Sequence, residues 1–112
     1  MNRKALIIAT DIGLVLQLIM VIAGHYDASI AAWFAIGGML ISLVAGVIYV
    51  RRARNGWSDS LIGGAVVGGI CAFIGIAVSC TLGDVAAMIL VFGTIGSAVS
   101  GLIGGAIAKL IP

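Results

Sequence analysis

Four long apolar stretches fill nearly the whole of this chain, at 5–23, 28–50, 61–82 and 85–107 of 112 residues. A helix rising about 1.5 Å per residue needs about 20 apolar residues to cross a bilayer, and each stretch is of that order. The fold class that follows is an all-α membrane protein: a four-transmembrane-helix bundle with short loops, forming a single integral membrane domain over 1–112. Hydrophobic residues make up 62% of the chain and charged residues 9%, so too little polar surface exists to cover a soluble core. The longest hydrophilic segment, Arg51 to Ser60, is too short to fold by itself.

The few charges fix an expected orientation. All six Lys and Arg fall on one side: Arg3 and Lys4 before helix 1, Arg51, Arg52 and Arg54 after helix 2, and Lys109 after helix 4. The turns on the other side, Gly24 to Asp27 and Gly83 to Asp84, hold His25, Asp27 and Asp84 but no cation. By the positive-inside rule both termini are cytoplasmic, an N-in/C-in layout, and the expected location is a bacterial inner (plasma) membrane. The bilayer is the first partner of such a chain. A net charge of +2 without a basic surface speaks against nucleic acid. Asn2-Arg3-Lys4 followed by an apolar run imitates a secretory signal, but the run is longer than usual and carries Asp11 and Gln17. It reads better as a retained helix.

Helix-end chemistry agrees with the hydropathy. Asp27 and Asp84 stand where N-caps of helices 2 and 4 belong, and Ser58, Asp59 and Ser60 offer the same to helix 3. Tyr26 at one boundary, and Tyr49 and Trp57 at the other, suit an interface that is apolar on one side and wet on the other. Trp33 falls inside the second stretch, as lipid-facing bulk or a packing anchor.

Seventeen glycines are the second strong feature. Helices in a bilayer gain little from hydrophobic burial and associate through close packing, which small residues permit. Helix 4 carries two stripes at four-residue spacing, Gly93, Ser97, Gly101, Gly105 and Gly96, Ser100, Gly104, Ala108. Helix 3 carries Gly64, Gly68, Ala72, Gly75 and Ser79, helix 2 carries Gly38, Ser42 and Gly46, and helix 1 carries Ala5, Ala9 and Gly13. These glycine-zipper faces predict helix packing or oligomer contacts, and the doubled face of helix 4 is broad enough to serve a second subunit. Helices 2 and 4 also match at an offset of 58 residues, at Ala35/Gly93, Gly38/Gly96, Ser42/Ser100 and Gly46/Gly104 among others. This hints at a duplicated helical hairpin.

Asp11 is the most conspicuous candidate for function, because an ionisable residue within a span is costly and calls for a partner, an interior or water. It lies about 9 Å from the inner end of helix 1 by helical rise. Equal depth on the other helices reaches Ser42, Gly68 and Ser100, so Asp11, Ser42 and Ser100 are the candidate ion- or proton-handling residues. The competing role for Asp11 is structural, snorkelling to the interface or stapling helix 1 to the bundle through a hydroxyl. Gln17 points elsewhere around helix 1 and reads as a bridge between helices.

Other chemistries lack their residues. The serines have no histidine at their depth, so catalysis is not expected. One histidine with Asp27 and Asp84 is a poor metal signature, and neither a metal nor a cofactor is expected. Cys71 and Cys80 lie nine residues apart on one helix and cannot bridge each other. They read as small packing residues.

In size, helix number and an acidic residue early in helix 1, the layout is similar to that of the small multidrug resistance transporters. In that family such a carboxylate exchanges protons for substrate. The likeness is confined to layout: no motif around Asp11 matches, the aromatic pattern of a cation site is missing at its depth, and the charge bias is stronger than in dual-topology members. Two function classes remain. One is a noncatalytic structural or accessory assembly subunit, forming a homo-oligomer or joining a larger membrane complex. The alternative is an oligomeric ion channel or proton-coupled small-molecule transporter using Asp11. The scarcity of polar pore residues favours the first.

Overall fold

A computed structural model of the chain describes residues 3–27, 29, 33–54, 56–83 and 86–111. Among the described residues four long helices follow one another: α1 (Arg3–Tyr26), α2 (Phe34–Ala53), α3 (Trp57–Thr81) and α4 (Ala87–Leu110). All four are long and apolar enough to cross a membrane. Helices satisfy their own backbone hydrogen bonds, which is what a chain in hydrocarbon requires. The bundle measures 40 × 22 × 21 Å, longer than the roughly 30 Å of a hydrocarbon core.

The helices extend past the apolar stretches at the basic end. Arg3 and Lys4 lie inside α1, Arg51 and Arg52 inside α2, and Lys109 inside α4. Hydropathy marks only the part suited to lipid, whereas helical hydrogen bonding continues past it. Arg54 closes α2 in the left-handed conformation at φ 54°, its N–H donating to the Val50 carbonyl.

Capping differs from the sequence expectation. The N-cap positions of α2, α3 and α4 are Trp33, Gly56 and Ala86, and none makes a side-chain cap hydrogen bond. Asp27 Oδ1 instead accepts from Ser29 N at 3.0 Å and Ser29 Oγ at 2.7 Å. Asp59 lies in the first turn of α3, where a carboxylate complements the helix dipole. Ala28, Asp84 and Val85, where the sequence places the starts of helices 2 and 4, lie outside the described residues. Trp33, immediately before α2, is exposed.

Pairwise contacts set the arrangement. Gly13 faces Ala45, Gln17 faces Gly38, Ser42 meets Gly68, and Gly64 meets Gly101, so successive helices run antiparallel. The α3–α4 interface is the most extensive; α1 packs on α2 and α3 and barely touches α4. The pair α2/α3 therefore forms the middle of the bundle, with α1 and α4 on opposite sides. Small residues make this possible. On α1 the buried positions are Ala5, Ala9, Gly13, Gln17, Val21 and Gly24, a stripe at almost strict four-residue spacing. The core cluster joins Ala5 and Ala9 to Ala45, Tyr49, Val67 and Cys71.

Candidate functional site

The sequence singled out Asp11, and the stripe that buries α1 determines where it points. Asp11 is two residues from both Ala9 and Gly13, about 200° around the helix from each. With those two buried, Asp11 is carried to the outward side of α1, and it is exposed there among exposed Ile7, Ile12 and Val15. Its neighbours on that face of α1 are apolar side chains.

The two serines proposed as its companions lie elsewhere. Ser42 is fully buried and donates to the Gly68 carbonyl at 3.2 Å, joining α2 to α3. Ser100 donates to Gly96, one turn back on its own helix, at 3.0 Å. No hydrogen bond joins either serine to Asp11 among the described residues. Counting equal depth from the helix ends thus does not bring the three together within one chain: Asp11 is exposed, whereas Ser42 is enclosed between α2 and α3.

The interior polar contact on α1 belongs to Gln17. This side chain is 2% exposed and its Nε2 donates to the Gly38 carbonyl at 3.2 Å, bridging α1 to α2. Gly75 opens the space it occupies: a β-carbon there would stand 3.0 Å from Gln17 Cβ. Cys71 adds a contact from α3 to α1, its Sγ donating to the Thr10 carbonyl at 3.3 Å. At the basic end Tyr49 is fully buried, and its hydroxyl donates to Asp59 Oδ2 at 2.8 Å. The Tyr49 ring lies where a β-carbon on Gly63 would have to be.

The glycine stripes meet neighbours within the chain. On α4, Gly101 packs on α2 at Gly46 and on α3 at Gly64 and Gly68. Gly105 faces Ser60 of α3, and a β-carbon on it would lie 2.6 Å from the Ser60 carbonyl oxygen. Gly104 presses on the Leu43 carbonyl of α2. The doubled face is therefore occupied by two helices of the same molecule. Gly96 lies against Met39, Gly93 against Ile76, and Gly38 at ordinary contact distance from Gln17 and Met20.

At the opposite end His25 and Tyr26 meet edge to face, ring centroids 5.1 Å apart. Among the described residues no group of three or more His, Cys, Asp or Glu is placed to hold a metal ion. Cys71 is buried and Cys80 half-buried, and both are free thiols. Sequence reasoning passed over one feature that the structure brings out, a cleft at the basic end lined by Lys4, Ala5, Ile8 and Arg52. Its signal lay in the antiparallel hairpin, which sets the start of α1 beside the end of α2.

Comparison with protein-family models, with curated proteins and with solved structures finds no match to this chain.

Proposed function

We propose that this chain is a noncatalytic assembly subunit of a membrane, associating with its own copies or with a larger membrane complex, with both termini cytoplasmic. The observation that carries the reading is the position of Asp11 on the outward apolar face of α1. A carboxylate at a lipid-facing site within a span costs about 2.5–3.5 kcal/mol near the centre and less toward the interface. A protein partner offering a hydrogen-bond donor or a cation would remove that cost. The interior supports the same reading. Close backbone contacts at Gly46, Gly64, Gly68 and Gly101 leave little room for a conduction path through one chain, and the Ser42 hydroxyl is engaged with a carbonyl.

The alternative, an oligomeric channel or proton-coupled transporter, needs several subunits to enclose Asp11 at a seam. Extraction of the protein with its surrounding lipid, followed by measurement of particle mass and identification of copurifying proteins, tests the proposal. The expected result is a particle larger than one chain, reduced to the single chain by Asp11→Leu. A single-chain particle for the unaltered protein would overturn it.

A further inference from the structure

We propose that the cleft between the start of α1 and the end of α2 binds the phosphate of an anionic phospholipid headgroup. The cleft has a volume of about 210 Å³ and is lined by Lys4, Ala5, Ile8 and Arg52, with both cations exposed. Two helices thus contribute one cation each to a concavity whose remaining lining is apolar. At this end α1 presents its amino terminus and α2 its carboxyl terminus, so their dipoles oppose each other. The two side-chain charges therefore set the sign of the site.

The acids of this half of the bundle do not neutralise it. Asp59 is held by Tyr49 between α2 and α3, and Asp11 lies about 10 Å farther along α1 than Lys4 by helical rise. Neither lines the cleft.

The surroundings favour a lipid over a free anion. The cleft lies at the end of the apolar spans, at the level where headgroups begin. Exposed Ile12 and Ile19 follow Ile8 along α1, and half-buried Ile48, then exposed Val44 and Leu40, follow Arg52 at four-residue steps along α2. A phosphate held between Lys4 and Arg52 therefore has apolar tracks on both helices for its acyl chains. Arginine contributes a planar fork suited to phosphate oxygens, and lysine a point charge. The site does not depend on the assembly reading, since it needs only one chain at a membrane surface.

The test is native mass spectrometry of the full chain from bilayer discs containing phosphatidylglycerol and phosphatidylcholine. The unaltered protein should retain phosphatidylglycerol preferentially. The double variant Lys4→Gln/Arg52→Gln should lose that preference by roughly tenfold or more, because both direct charge-assisted contacts to the phosphate are removed. Arg54→Gln/Lys109→Gln removes the same charge outside the cleft and should leave the preference intact. Ile8→Trp fills the cleft without changing charge and should abolish retention, which keeps the test valid if the double variant folds poorly. Equal retention of both lipids by the unaltered protein, or equal loss in the Arg54/Lys109 control, would overturn the site. Displacement of the lipid by inorganic phosphate would overturn the lipid assignment in favour of a free-anion site.

Discussion

Gly64 and Gly101 exclude side chains from each other reciprocally: a β-carbon on either one would collide with the carbonyl oxygen of the other. The colliding atoms are backbone, so no rotamer change can relieve the overlap. Alanine would gain roughly 1 kcal/mol of helix propensity over glycine, but overpacking typically costs about 1–3 kcal/mol and here α3 and α4 must separate along their main interface. Gly101→Ala should therefore destabilise the bundle by at least about 1 kcal/mol. Gly69→Ala is the matched control, because its β-carbon would meet Ala98 Cβ at 3.4 Å, an ordinary contact. Reversible unfolding in mixed micelles compares the two, and equal stability would refute the argument.

The bridge from Gln17 to Gly38 predicts a modest, specific loss. Hydrogen bonds between membrane helices average about 0.6 kcal/mol and reach about 1.7. Gln17→Met keeps an unbranched side chain of similar length against Gly75 but cannot donate to Gly38. It should cost about 0.5–1.5 kcal/mol and loosen α1 before the α3–α4 pair. Hydrogen exchange resolved by helix reads this out as faster exchange confined to α1 and the facing part of α2.

Tyr49 and Gly63 should behave as a coupled pair. Gly63→Ala collides with the Tyr49 ring, so it should be strongly destabilising in the unaltered protein and milder once Tyr49→Leu has removed the ring. Tyr49→Phe separates the hydroxyl from the ring. Loss of the 2.8 Å bond to Asp59 should cost about 1 kcal/mol without changing the response to Gly63→Ala. Additive effects of Tyr49→Leu and Gly63→Ala would argue against the packing.

These contacts show which parts of the fold are legible in the chain and which are not. The spans follow from apolar length, and the small faces of α3 and α4 follow from four-residue spacing. Helix ends do not, because Arg3, Arg52 and Lys109 continue helical hydrogen bonding beyond the segment suited to lipid. Counting depth from the helix ends does not place Asp11 beside Ser42 and Ser100, because Asp11 faces outward and Gly13, two residues on, already packs against Ala45 and Cys71. The information was nevertheless present on α1: the spacing of Ala5, Ala9, Gly13 and Gln17 buries one side, and Asp11 is out of phase with all four. The occupants of helix 4's two stripes were not legible, because a small-residue stripe fits a helix of the same chain as well as one from another.

Orientation is testable at two exposed positions. Tyr26 is 85% exposed at one end, and a β-carbon on Gly56 at the other end meets nothing within 4 Å. In a Cys71→Ala/Cys80→Ala background, Tyr26→Cys should react with an impermeant maleimide added outside intact cells. Gly56→Cys should react only after the membrane is opened. The reverse pattern would invert the N-in/C-in proposal derived from the distribution of Lys and Arg.

The outward position of Asp11 makes its substitutions discriminating. Leucine matches the apolar face of α1 and removes the cost of a carboxylate facing lipid, so the isolated chain carrying Asp11→Leu should be as stable as the unaltered chain or more so. In an assembly that uses the carboxylate the same change should dissociate subunits, so stability of the single chain and size of the particle should move in opposite directions. Asp11→Asn keeps the shape and some hydrogen-bonding capacity but cannot exchange a proton. It should therefore retain assembly better than leucine. In liposomes the assembly reading expects no pH-driven flux with either aspartate or asparagine, whereas flux with aspartate that vanishes in well-folded Asp11→Asn would establish the transporter reading instead.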